Sequence, residues 1–259
     1  MLPVMLTIAG SDCSAGAGLQ ADLKAAHAMG AYALTAVTCV VSEVPGRVNA
    51  IQEISPDLVA DQVRLCLDSF PAGAVKTGML YSPGIAGAVA DALRGRKLPF
   101  VLDPVMIATA GSSLMLKHTI DVYEQALFPL ASLITPNMDE LEKLAGFPIC
   151  TESDLRHGAQ TLAERHGVAV LAKGGHMHRE CCDILALPSG ETRTWRRPRI
   201  TGVSTHGTGC TLSSAITARL AAGDALPGAI DRALAFVAQS IRTTLRWEFP
   251  AQMEVLNHG

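Results

Sequence analysis

Residues 4–41 read VMLTIAGSDCSAGAGLQADLKAAHAMGAYALTAVTCVV, and this stretch decides the fold class. Val4 to Ala9 is a short apolar run that breaks into a small, polar loop. Gly18 to Met29 has helical composition, and Leu34 to Val41 is again apolar and rich in β-branched residues. Strand, loop, helix and strand in that order make a βαβ unit, whose two strands pair in parallel. The alternation continues through candidate strands at Val48 to Ile54, Ala74 to Lys76, Phe100 to Leu102, Ser132 to Ile134 and Val168 to Ala172. Candidate helices are Asp57 to Ser69, Gly84 to Leu93, Thr119 to Phe128 and Ser153 to His166. The pattern predicts an α/β protein with a largely parallel sheet.

Beyond Cys182, CDILALPSGETRTW predicts two strands around a Pro-Ser-Gly turn, an antiparallel hairpin at a sheet edge. After Gly209 come two helix-like segments, broken at Gly223 and Pro227. There is no internal repeat, low-complexity tract or linker, so residues 1–259 are expected to form one domain. Lys plus Arg number 21 against 24 Asp plus Glu, a net charge of −3 that offers no basic footprint for nucleic acid or an anionic membrane. The composition, 49% hydrophobic and 17% charged, supports a large core and argues against disorder. Seven scattered cysteines argue against a disulfide framework and for a reducing compartment. With no charged signal-peptide start and no apolar run long enough to span a membrane, the expected location is the cytoplasm.

Ligands of open parallel sheets gather at the carboxyl ends of the strands. After the first strand, Gly16-Ala17-Gly18-Leu19-Gln20-Ala21 fits the loose pattern G-x-G-x-x-A, with Glu43 as a possible ribose acceptor, which would make a nicotinamide-dependent oxidoreductase. Against this, Ser11 to Ala15 separate the first glycine from the strand. A second glycine-rich loop, Thr205-His206-Gly207-Thr208-Gly209-Cys210, runs straight into a helix-like segment. Its backbone N–H groups can converge at a positive helix end, a pocket for phosphate. Phosphoryl transfer also needs a metal site, a cation and a proton acceptor. Asp103, Asn137 and Glu140 stand at strand ends as metal-orienting candidates, although Asp103 and Glu140 read equally as helix-cap or first-turn acids. Lys173 can meet phosphate charge. Cys210, at a helix N-terminus, is placed where a thiolate is favoured and a proton can be accepted. His176, His178, Cys181 and Cys182 imitate a zinc cluster, but adjacent cysteines on a strand point to opposite faces.

Six blocks, LTIAGSDCSAGAGLQADLK at Leu6 to Lys24, VKTGML at Val75 to Leu80, VLDPVM at Val101 to Met106, LITPN at Leu133 to Asn137, AKGGH at Ala172 to His176 and THGTGCTLSSA at Thr205 to Ala215, carry a family resemblance. Together they resemble the hydroxymethylpyrimidine and hydroxymethylpyrimidine phosphate kinases, the ThiD branch of the ribokinase-like superfamily that acts in thiamine biosynthesis. The resemblance covers nearly the whole chain in the same order. It implies a three-layer fold, a mostly parallel sheet flanked by helices, and usually a homodimer. It further implies ATP and Mg²⁺, with phosphorylation of 4-amino-5-hydroxymethyl-2-methylpyrimidine to its phosphate and of that phosphate to the pyrophosphate.

Carried over by position, Gly207, Thr208, Gly209 and Cys210 form the anion hole, with Cys210 as the proton acceptor. Gly10, Asp22, Met79 and Val105 belong to the acceptor pocket. Lys173, Asn137 and Thr208 serve ATP, and Asp103 and Glu140 the metal. Sugar kinases and most pyridoxal kinases of the superfamily carry Asp where this chain has Cys210, which favours the pyrimidine branch over a pyridoxal-type kinase. One position departs from the pattern: Glu43 stands where the bifunctional enzymes place a glutamine against the aminopyrimidine. An ionised glutamate only accepts hydrogen bonds, whereas glutamine also donates. The substitution predicts a bias toward the pyrimidine phosphate, which has a second handle in the anion hole, over the free alcohol.

Overall fold

The computed structural model describes residues 1–106, 116, 118–175, 180–250 and 252–259. Chain order starts with β1 (Val4–Asp12), α1 (Gly18–Ala28), β2 (Tyr32–Val44), β3 (Arg47–Glu53), α2 (Pro56–Ser69), β4 (Ala74–Thr77), α3 (Pro83–Leu93) and β5 (Phe100–Leu102). It continues with α4 (Thr119–Val122), β6 (Leu133–Ile134), α5 (Met138–Ala145), α6 (Glu152–His166), β7 (Ala169–Gly174), β8 (Glu180–Ala186) and β9 (Thr192–Pro198). The last elements are α7 (Thr208–Ala221), α8 (Leu226–Arg242), β10 (Leu245–Trp247) and β11 (Met253–Val255).

Nine strands form one sheet in the order β3-β2-β1-β4-β5-β6-β7-β8-β9. The six from β2 to β7 are parallel, and β3, β8 and β9 are joined antiparallel at the two edges. Alternation along each strand divides the core. Leu6, Ile8, Leu102, Ile134 and Val170 pack with α2, α3, α5 and α6 on one face. Val101, Leu133, Ala169 and Leu171 pack with α7 and α8 on the other, where Met5 meets α1 and α7. A sheet covered on both faces explains why its central strands are continuous apolar runs.

The edge hairpin expected after Cys182 is β8–β9. The strand expected at Val48 to Ile54 is β3, antiparallel to β2 across the Pro45-Gly46 turn. The helix expected at Thr119 to Phe128 is not continuous, since α4 gives way to a π-helical turn at Tyr123–Leu127. Two elements lay outside the expectation: α5, opened by an Asn137/Glu140 capping box, and the β10–β11 hairpin. Among the described residues no helix is long and apolar enough to cross a membrane.

Candidate active site

Parallel strands deliver the ends of β1, β4, β5, β6 and β7 to one side of the sheet, and α7 begins above them. Gly207 caps α7 with φ of +83°, and a Cβ there would lie 2.0 Å from the carbonyl oxygen of Gly16. Only glycine meets both demands, so the β1–α1 loop and the phosphate loop touch backbone to backbone. The first helical bond is Thr211 N–H to the Gly207 carbonyl at 2.9 Å, while Thr208 N–H and its hydroxyl turn back to Thr205 O. Gly209 and Cys210 thus occupy the first turn, where N–H groups have no intrahelical acceptor.

Gly209 also locates the charges. A Cβ on it would lie 3.3 Å from Lys173 Nζ and 3.7 Å from Asp103 Oδ2. Lys173 donates to Asp103 Oδ1 at 2.9 Å, and Ser213 of α7 donates to Asp103 Oδ2 at 3.1 Å. The structure therefore brings Lys173, Asp103 and the start of α7 together. Asn137 and Glu140 lie alongside as the capping box of α5: Glu140 N–H donates to Asn137 Oδ1, and Asn137 N–H to Glu140 Oε2. Glu140 also accepts from Met106 N–H at 3.3 Å. The cap reading of Glu140 accordingly holds in the structure. Burial pushes the Glu140 carboxyl up to about 7, with Lys173 opposing and Asp103 reinforcing the rise.

Cys210 corrects one expectation. Burial pushes its thiol up to about 11; Lys76 and the Gly18 N–H oppose that, and Asp22 and Asp103 add to it. The helix N-terminus does not by itself give a thiolate, because taking a charged sulfur out of water costs more than the helix end returns.

Asp22, expected in the acceptor pocket, is fully buried with both oxygens bonded inside the protein. Oδ2 accepts from Thr7 at 2.6 Å, Oδ1 from Ser214 at 2.6 Å, and each from Lys76 Nζ at 2.8 Å. Direct contact with an acceptor would require one of these bonds to be given up. Lys76 went unassigned in the sequence, although a lysine inside the buried strand AVKT was a visible signal. Its register partner on β1 is Thr7, which puts both side chains on the α1/α7 face.

The remaining pocket candidates cluster. A Cβ on Gly10 would lie 2.8 Å from Cys39 Sγ and 3.7 Å from Met79 Sδ. Met79, Cys39 and Val41 form an apolar group with Val105 at its margin. Glu43, two residues beyond Val41, is half-buried beside a bulge in the β2–β3 ladder. Its backbone accepts from the Cys13 thiol at 3.2 Å and donates to it at 3.4 Å. Burial and the nearby Asp12 carboxylate raise the Glu43 carboxyl, and His206 opposes them.

Asp12 decides the fate of the G-x-G-x-x-A reading. Its Oδ2 accepts the Gly16 and Ala17 N–H groups at 3.0 and 2.7 Å, and its Oδ1 accepts from Ser14. The N–H groups a dinucleotide would need are already bound to an internal carboxylate, so the oxidoreductase reading is dropped. Of the zinc-like cluster, Cys181 and Cys182 are successive residues of β8, and Cys182 is buried where Cys181 is only partly so; His176 and His178 lie outside the described residues.

The phosphomethylpyrimidine kinase family profile matches residues 12–252. The bifunctional thiamine biosynthesis protein ThiED of Geobacter sulfurreducens is 40% identical over 240 residues, covering 92% of this chain and 49% of that protein. This chain therefore spans about half of that relative. The hydroxymethylpyrimidine/phosphomethylpyrimidine kinase of Streptomyces coelicolor is 37% identical over 240 residues, 92% of this chain and 88% of its own. Among solved structures, an ADP complex of Bacillus subtilis pyridoxal kinase superposes with a TM-score of 0.89 at 30% identity, covering 99% of this chain and 98% of that one. Matched along almost its whole length, the chain belongs to the phosphomethylpyrimidine kinase family.

Proposed function

We propose that residues 1–259 form a single-domain, ATP-dependent kinase of thiamine biosynthesis that converts 4-amino-5-hydroxymethyl-2-methylpyrimidine phosphate to the pyrophosphate. The observation that carries this reading is the Lys173–Asp103 pair set against Gly209 in the first turn of α7. A cation, an acid and a helix N-terminus converge on one point, which is what a transferring phosphoryl group requires. An acceptor oxygen bonds to the γ-phosphorus as its bond to the ADP oxygen breaks. Charge on the equatorial oxygens then meets Lys173 and the N–H groups of Gly209 and Cys210.

Asp103 and Glu140 fit Mg²⁺. Asp103 accepts from Lys173 and Ser213, and Glu140 from the Met106 and Asn137 N–H groups, so the ion would be held through the spare lone pairs of these oxygens or through water. No group of three His, Cys, Asp or Glu suited to a metal occurs among the described residues. Mg²⁺ commonly needs only one or two carboxylates beside phosphate oxygens and water. When bound, it supplies charge neutralisation to the polyphosphate.

The acceptor follows from proton accounting. A phosphomonoester has a second pKa of about 6, so its attacking oxygen arrives ionised at neutral pH, whereas a free alcohol must surrender a proton. With its thiol held near 11, Cys210 is protonated and a poor acceptor for that proton. Glu43 points the same way, because a carboxylate, once ionised, cannot donate to the ring nitrogen as a glutamine can. The pyrimidine phosphate is thus the preferred substrate and the free hydroxymethylpyrimidine a poor one. A cytoplasmic homodimer without nucleic-acid or membrane partners completes the proposal.

A pyridoxal-type kinase is the second reading, favoured by the 0.89 superposition on a pyridoxal kinase. Measuring ADP release with MgATP and each of the three acceptors decides. The expected result is a kcat/KM at least tenfold higher for the pyrimidine phosphate than for the free alcohol. Equal values refute the bias, and a higher value for pyridoxal selects the second reading.

A further inference from the structure

The chain end is stitched across the phosphate loop. Glu254 of β11 accepts from Ser204 N–H at 2.6 Å with Oε2, and pairs through Oε1 with Arg246 of β10 at 3.0 Å. Arg246 in turn donates to Gly202 O at 3.2 Å, so both hairpin strands grip the segment that leads into Gly207. The next residue, Val255, packs with His206 over Gly16: a Cβ on Gly16 would lie 3.5 Å from Val255 Cγ1 and 3.0 Å from His206 Cδ2. His258 then reaches the far side of the loop, where its buried ring lies 2.9 Å from the Thr211 hydroxyl. Asn257 N–H contacts Ser240 O of α8 at 3.4 Å. Residues 254–258 therefore hold the loop before its glycines, at its contact with β1–α1, and just after Cys210. Residues 253–259 lie beyond the family match, which ends at 252.

We infer that the chain end acts as an external brace on the phosphate loop, with Glu254 and His258 as positioning residues that keep the Gly209 and Cys210 N–H groups aimed at the transferring phosphoryl group. The inference rests on the kinase reading above and adds residues to its machinery. Donors in such a site act by being fixed before charge develops, and a small displacement forfeits much of their effect. In this reading the Gly209 and Cys210 N–H groups face the transferring phosphoryl group, which ADP alone lacks, so loss of the brace should fall on the transition state.

The probe is MgADP with and without aluminium fluoride, a mimic of the transferring phosphoryl group, added to the 259-residue chain, with affinity measured by calorimetry. In the wild type, fluoride complex formation should tighten ADP binding. In Glu254→Ala and His258→Ala that tightening should fall at least tenfold while the Kd of ADP alone stays within threefold. Glu254→Gln, whose amide oxygen still accepts the Ser204 N–H, should recover most of it. Glu254→Asp, too short to reach, should not, and this milder change keeps the test available if the alanine variant does not fold. Equal tightening in wild type, Glu254→Ala and Glu254→Asp overturns the brace alone. A wild type that binds ADP without tightening refutes the phosphoryl-transfer reading and the brace with it, a result distinct from the first.

Discussion

Lys76 Nζ lies 2.8 Å from both carboxylate oxygens of Asp22, and neither side chain has any exposed surface. Burial disfavours the ammonium, yet Asp22, Cys210 and Asp103 together hold its pKa above the ordinary lysine value. The pair is a fixed, buried ion pair joined to the start of α7 through Ser214, one helical turn after Cys210.

Breaking that pair from one side leaves an uncompensated buried charge. Lys76→Met should destabilise the protein by about 3–5 kcal/mol in urea unfolding. Lys76→Met/Asp22→Asn, which removes both charges, keeps an acceptor oxygen for one hydroxyl and offers an N–H that the other hydroxyl can accept, should recover most of the loss. Equal stability of Lys76→Met and wild type would show that the pair is energetically idle.

Cys210→Ala separates the two acceptors. If the slow turnover of the free alcohol nonetheless runs through the small thiolate fraction of Cys210, its kcat should fall further, by roughly 10² or more. On the pyrimidine phosphate it should fall less than tenfold. Parallel losses on both substrates would assign Cys210 to shaping the loop.

Glu43 predicts a pH signature. Its folded-state pKa is raised, so the protonated form, the only one able to donate to a ring nitrogen, persists above the ordinary carboxylate range and disappears as pH rises through the shifted value. Wild-type kcat/KM for the free alcohol should decline with rising pH through that window. Glu43→Gln should raise activity on the alcohol and flatten this limb. An unchanged profile in Glu43→Gln would place the titrating group elsewhere.

His258 makes stability depend on pH with the opposite sign. Burial lowers its pKa from 6.5 to about 4, so between these values the unfolded chain binds the proton and the folded chain does not. Stability should rise with pH across that window and be lost as pH falls through it. The urea midpoint of His258→Gln should vary less between pH 4.5 and 7 than that of the wild type.

Much of the site could be read from residue order because a parallel sheet turns order into place: Asp103, Asn137 and Lys173 follow successive strands and meet at one edge. Met79 and Val105 gather with Gly10 for the same reason. Solvation was beyond that reading. Nothing in THGTGC distinguishes a thiol that is open to solvent at a helix end from one half-buried near Asp22 and Asp103, and the latter reverses the expected shift. Nor does Asp22 announce that Thr7, Ser214 and Lys76 already fill its oxygens, since these come from three elements distant in sequence. The Pro45-Gly46 turn marked a connection without stating that β3 folds back on β2. Glu254 was illegible for a simpler reason: its partner is a backbone N–H fifty residues away.

The backbone contact between Gly16 and Gly207 joins the β1–α1 loop to the loop that opens α7. Neither can shift without displacing the other. Should the proposed pyrimidine settle one loop and the nucleotide the other, linkage requires each to change the other's affinity by the same factor. At Gly207, where any side chain would strike the Gly16 carbonyl, the fold thus offers the proposed substrates a route to sense each other through backbone alone.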